Sequence, residues 1–584
     1  MNHERILECD VLVLGSGAGG LSAAVTAATH GLRVMVMEKE DVFGGTSAWS
    51  GGWMWIPRNP LATRAGIREE IDAPLTYLKS ELGTQFDAAK ATALLERGPE
   101  MVDFFERHTS VRFVEGNIPD FHPTPGAATG GRSVCAMPFD ARELGPLLHK
   151  LREPLSVITI KGMGIAAGQD ITHFYRATRS IKSALYVARR LLAFAWHKLW
   201  YGRSMHLVNG NALVARLLKS AVNREVDLRT RARAVALLRN DRRVTGAIVD
   251  IAGTRHEVRA TRGVVLACGG YPYDVERRAR TFAYTPSGLD HWSAAPRTNT
   301  GDGIRLGESV GGRFNNTLDA PAAWAPVSLV PQRGGADIVF PHLIDRAKPG
   351  VIAVTRAGRR FVNEAASYRD FISALLASTP SGEEVCAWLI CDHRFQRRYG
   401  LGFSKPFPFP VGPYRRSGYL VQAASLSELA MKCHIDAQAL KNTVESYNTH
   451  AKEGTDPQFN KGSTVYNRAQ GDAEHQPNPC LAPIEKSPFY AVKLLPGSLG
   501  TFAGLATDID ARVLDENNCA IPGLYAVGND SASMMGGFYP SGGITLGPAM
   551  TFGYLAGLVL ARRNLAPQGD FFAAKEKAAA DSPV

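Results

Sequence analysis

Hydrophobic positions fall into two rhythms in "CDVLVLGSGAGGLSAAVTAATHGLRVMVMEK", Cys9 to Lys39. Short continuous apolar runs predict strands at Asp10 to Leu14 and Leu32 to Met37, and the Ala- and Val-rich stretch between them has helical length. Two later apolar runs also end in glycine, "GVVLACGGY" (263–271) and "GLYAVGND" (523–530). A different pattern fills "SIKSALYVARRLLAFAWHKLWYGR", 180–203, where Leu185, Leu192 and Leu199 recur every seven residues and Lys182, Arg189 and Arg190 lie toward another side. That helix suits a membrane interface, and the same broad apolar arc suits a helix packed on the core or on another subunit.

With 584 residues, 45% of them hydrophobic, the chain can bury a large core in two or more domains. A formal charge of +11 is spread without a long Lys/Arg run, which argues against nucleic acid and favours anionic ligands or a membrane surface. The eight cysteines include no CxxC, so no metal or attached haem is indicated and reduced thiols in a cytoplasmic compartment are expected. The polar start "MNHERILECD" leads straight into a strand, leaving no room for a signal peptide, and no run reaches bilayer-spanning length.

Chemistry enters at the glycines. Gly15, Gly17 and Gly20 form GxGxxG between a strand and a helix, which lets backbone approach a diphosphate at a helix N-terminus, and Glu38 closes the second strand where a carboxylate can hold a ribose diol. "FGGTSAWSGG" (43–52) follows directly. Together with the two later strand-to-glycine turns it favours an extended FAD over NAD.

On these motifs the chain resembles the flavoprotein family that contains fumarate reductase, succinate dehydrogenase and the 3-ketosteroid dehydrogenases. The resemblance implies an α/β fold: a discontinuous Rossmann-like FAD domain (1–275 and 500–584, with the helical insertion near 172–205) around an inserted α+β catalytic domain (276–499). Gly15, Gly17, Ala18, Gly20, Glu38, Lys39, Gly45, Thr46, Ser47, Gly51, Gly52, Gly269, Asp530, Gly542 and Leu546 are the expected cofactor residues. Residues 44–52 lack the histidine that carries a covalent flavin in the succinate dehydrogenase branch, so noncovalent FAD is expected.

Within the family, "TRAGRRFVNEAASYRDFISALL" (355–376) resembles the catalytic signature, with Tyr368 where fumarate-reducing members carry the proton-delivering arginine; Arg369 is next to it. In "GGFYPSGGITLGPAM" (536–550) no Arg, Lys or His is present to clamp carboxylates. Tyr539 and Gly543 stand as Tyr-x-x-x-Gly, the pattern that in ketosteroid dehydrogenases donates two hydrogen bonds to the substrate ketone. The resemblance thus implies a 3-oxosteroid 1-dehydrogenase, with Tyr368 as base, Tyr539 and Gly543 as ketone donors, a steroid substrate and a diffusible quinone or protein acceptor.

Three departures keep alternatives open. The helper tyrosine of Δ1 enzymes has no counterpart in 117–134, where Phe121 and His122 stand, so either His122 takes the role or the helper is absent. Ser541 gives the Tyr-x-Ser arrangement of Δ4-(5α)-dehydrogenases. A fumarate-reductase-like enzyme would need a clamp from Arg369 with His342 or Arg359, and a flavin-binding protein without turnover would use the tyrosines for packing alone.

Overall fold

The computed structural model describes residues 5–562 except 167 and 333. Its first sheet has eight strands, running Arg512–Leu514, Ala520–Ala526, Thr254–Leu266, Arg5–Leu14, Val34–Met37 and Asp227–Arg229, with Arg243–Ile251 and Ala232–Asn240 continuing from the long Thr254–Leu266 strand. Arg5–Leu14 lies parallel to both its neighbours, and Ala520–Ala526 joins parallel at Val264 to Leu266. The N-terminal and C-terminal parts of the chain therefore build one discontinuous sheet.

The helix Ala18–Thr29 is buried almost all round, as its alanine-rich sequence demands, because the helix Leu546–Arg562 covers the side that the sheet does not. Ser22 seals that contact by donating to the Met550 carbonyl at 2.7 Å.

A second sheet of seven strands is threaded by Phe489–Thr501, which pairs antiparallel with Ala322–Val330, Ala387–Cys391 and Val421–Ala423. Tyr368–Ser378 packs on this sheet through buried Phe371, Ile372 and Leu375, and Ser367 caps it by accepting from the Asp370 amide. Between the sheets runs one cavity of about 2100 Å³, bordered by the Gly15 turn at one end and by Tyr539 at the other.

Among the described residues no helix is long and apolar enough to cross a membrane.

Candidate active site

The glycine end of the cavity is bare backbone. At Gly17 a methyl group would meet only Ser47 Oγ, at 3.4 Å, and at Gly45 it would meet nothing within 4 Å. The helix Ala18–Thr29 starts there with no cap from its own Gly17 and no acid in its first turn, and only the Ser47 hydroxyl accepts from its first amide, at 2.9 Å from Ala18 N. Glu38 accepts from the Ser16 amide and hydroxyl at 3.2 and 2.6 Å, and burial pushes its carboxyl up. Backbone donors at a helix start and a carboxylate at the end of the second strand fit a dinucleotide diphosphate and its ribose.

Every expected cofactor residue lines this cavity except Asp530. Its fully buried carboxylate lies behind the wall, accepting from the Cys268 and Gly270 amides at 2.5 and 2.9 Å, with burial pushing its pKa up to about 6. It braces the turn of the Thr254–Leu266 strand.

At the other end Tyr368, Tyr539 and Phe121 close into an aromatic cluster. The Tyr368 and Tyr539 rings meet edge to face at 5.2 Å, and Phe121 lies parallel to Tyr539 at 5.9 Å and edge-on to Tyr368 at 5.4 Å. The turn carrying Tyr539 is pinned at Pro540, whose carbonyl accepts from the Tyr77 hydroxyl at 2.6 Å and the Phe121 amide at 2.9 Å. Gly543 has φ +96°, and a Cβ there would sit 2.7 Å from the Met54 amide nitrogen, so only glycine fits. Its carbonyl accepts from the Trp55 amide, while its own N–H meets no acceptor among the described residues.

Burial holds the Tyr539 phenol well above the ordinary range, with the Thr545 hydroxyl as its neighbour, so it stays a donor at any working pH. Tyr368 is also pushed up by burial, but two groups pull the other way: the Arg346 guanidinium and a hydrogen bond from the Tyr466 hydroxyl. Arg346 is buried, stacks over Phe371 at 4.9 Å, and donates only to the carbonyls of His342, Glu364 and Ala366. It forms no direct ion pair among the described residues, and its charge is felt by the Tyr466 and Tyr368 phenols as well as by Asp345 and Glu364.

The Asn-Glu pair of the signature explains how Tyr368 and Tyr466 come to oppose each other. Glu364 is locked to Arg360, which also grips Asp456 at 2.8 Å, and Asn363 donates to the Asn467 side chain at 2.9 Å. Both bonds tie the strand-to-helix segment to the segment carrying Tyr466.

Other candidates are occupied elsewhere. His122 is clamped between Glu81 at 2.5 Å and Asp370 at 2.7 Å, which outweigh burial and raise its pKa to about 10. It joins the helix Asp72–Leu82 to the helix Tyr368–Ser378 rather than reaching the phenols. Arg369 pairs with Asp319, donates to the Gly537 carbonyl at 3.1 Å and covers Phe538, holding the loop before Tyr539.

His342 is fully buried between Asp345 and Ser328, and Arg359 is exposed, so the three residues of the alternative clamp are not brought together on the cavity wall. Ser541 is buried against Asp120 and contributes no cavity surface. Sequence reasoning missed Tyr466 and Arg346, which carry no motif of their own.

A glycine-lined dinucleotide site and a buried pair of tyrosines thus share one cavity, an arrangement that suits a flavoprotein. The family model for the FAD binding domain matches residues 10–546, and the chain belongs to that family. It is 41% identical to 4-oxocyclohex-2-ene-1-carboxylate 5-dehydrogenase of Sinomonas cyclohexanicum, over 96% of this chain and 95% of that one. It is 36% identical to the 3-oxosteroid 1-dehydrogenase of Mycobacterium tuberculosis strain CDC 1551, over 96% and 99%. The solved 3-ketosteroid delta1-dehydrogenase from Sterolibacterium denitrificans, in complex with 1,4-androstadiene-3,17-dione, superposes with a TM-score of 0.87 at 37% identity, covering 95% of this chain and 100% of that one. The protein is an FAD-dependent dehydrogenase.

Proposed function

We propose that the protein introduces a double bond between C1 and C2 of a 3-ketosteroid. The observation that carries this reading is the meeting of Tyr368, Tyr539 and Gly543 on one wall of the cavity. Tyr539 Oη and Gly543 N donate to the ketone oxygen, so charge that develops there as the neighbouring C–H bond breaks is met by fixed dipoles in a dry pocket. Tyr368 Oη takes that proton, Arg346 stabilises the phenolate, and Tyr466 holds the oxygen in place by donating to it. FAD, when bound along the glycine end, supplies the acceptor for the hydride from the next carbon.

The cavity is far larger than a dinucleotide alone requires, which supports a substrate of steroid size. The position of Ser541, away from the cavity, favours C1–C2 over Δ4-(5α) chemistry.

One observation favours a second reading, a small 4-oxocyclohexane-type carboxylate. Lys348 and Lys405 line the cavity without acidic partners among the described residues; Lys348 donates to the Gln470 and Gly471 carbonyls, and burial pulls it down to about 8. A substrate carboxylate would find charge there.

Anaerobic flavin bleaching decides among them. 4-Androstene-3,17-dione bleaching the flavin with a 1,4-diene product supports the Δ1 reading. Bleaching only by a 5α-reduced 3-ketosteroid, with a 4-ene product, replaces it with Δ4-(5α). Bleaching by 4-oxocyclohex-2-ene-1-carboxylate and by neither steroid moves the protein to the keto acids.

A further inference from the structure

One helix of the described residues is dressed differently from the rest. Ile181–Tyr201 carries Ile181, Leu185, Leu192, Trp196 and Leu199, each between 60% and 82% exposed. At 100° per residue these five fall within an arc of about 60°, so they form one stripe along a helix about 31 Å long. Trp200 widens the stripe at one edge, beside Lys182 and Arg189.

The other side of the helix is anchored. Tyr186 and Arg190 bond to Asp170 at 2.9 and 2.8 Å, His173 meets Ser183 at 3.1 Å, and Val187, Leu191 and Phe194 form cavity wall. The stripe is therefore the face turned away from the protein, not a core face that has come loose.

We infer that this stripe docks the protein on an anionic phospholipid surface, lying in the interface plane. Residues 180–203 contain no Asp or Glu, and Lys182 and Arg189, which lie along one edge of the apolar stripe, meet no acidic partner among the described residues, so that edge is basic. That is the arrangement that suits acyl chains below and lipid phosphates beside them, and two tryptophans at the stripe's end suit the headgroup level.

A second copy of the chain fits worse. Antiparallel pairing through the stripe would bring Arg189 near its own counterpart, with no acid in 180–203 to neutralise the pair. The chain's net charge of +11 acts in the same direction, toward an anionic surface and away from self-association.

The test is co-sedimentation of the flavin-loaded, full-length protein with vesicles of phosphatidylcholine alone or mixed with phosphatidylglycerol, followed by protein and tryptophan fluorescence. Binding to the mixed vesicles with a blue shift of emission, weakened at least about tenfold by Leu192→Glu with Leu199→Glu and by high salt, supports the inference. Both side chains are exposed and outside the cavity wall, so flavin spectrum and melting temperature should stay as in the parent and show that the double variant is folded. Absence of binding by the folded parent, or equal binding by the double variant, overturns it. A concentration-dependent dimer that the double variant abolishes overturns it in favour of a second copy.

Discussion

Tyr368 and Tyr539 approach edge to face, ring centres 5.2 Å apart at 72°, yet their surroundings push them toward different protonation behaviour. Tyr539 has burial with no cation to relieve it, whereas Tyr368 has Arg346 and Tyr466. In the proposed reaction Tyr539 is the donor and Tyr368 the base.

In the proposed reaction Tyr539→Phe removes one of two donors to the ketone oxygen. The rate of flavin reduction by the ketone should fall by about 10²–10³, with cofactor spectrum and melting temperature unchanged. An undiminished rate removes the donor role.

Tyr368 titrates above the ordinary phenol value, so below it the basic form grows about tenfold per pH unit. Single-turnover flavin reduction should therefore climb through the alkaline range, and Tyr368→Phe should abolish both rate and slope. Arg346→Met and Tyr466→Phe should each slow reduction at neutral pH and displace the profile to higher pH, with partial recovery at pH above the parent's plateau. Variants that lose rate equally at every pH would show Arg346 and Tyr466 to be structural alone.

His122 has a folded pKa raised to about 10 from an ordinary 6.5, so its clamp stabilises fully below the lower value and is lost as pH rises through the higher. The gap in melting temperature between parent and His122→Gln should be widest near pH 6 and close by about pH 10.5. A gap constant over that window would contradict the charged clamp.

Gly543→Ala puts a methyl group 2.7 Å from the backbone of Trp53 to Trp55 at positive φ. Strand Trp53–Trp55 must move, and the expected result is a lower melting temperature together with loss of ketone-dependent flavin reduction. Ser541→Ala, by contrast, should leave the position of the new double bond unchanged, read by product identification.

What was legible in the sequence was whatever is encoded over short spans. The glycine turn, its flanking strands and Glu38 follow from local spacing, and the tyrosine-glycine turn from its resemblance. The first strand was expected from Asp10 and begins at Arg5, because its polar start pairs with Arg259 to His256 in a strand some 250 residues away. Tyr466 and Arg346 were not legible for the same reason. Each comes from a segment with no pattern of its own, and only the Arg360–Asp456 and Asn363–Asn467 ties bring Tyr466 to Tyr368. The sequence left two alternatives open at His122 for a different reason: its surroundings, Glu81 and Asp370, lie 41 residues before and 248 after it, and hold the ring in a clamp.

The sheet's dependence on Ala520–Ala526 has a consequence for biosynthesis. At about 5–20 residues per second, the ribosome needs roughly a quarter of a minute to a minute to deliver that strand after Leu266 has been made. Through that interval Val264 to Leu266 lack the neighbour that covers their edge, so the nascent chain presents an open, apolar parallel edge while its catalytic insert is already being made. Because Gly542 and Leu546 lie beyond that strand, the cavity wall between the sheets is complete only after the whole insert has been made.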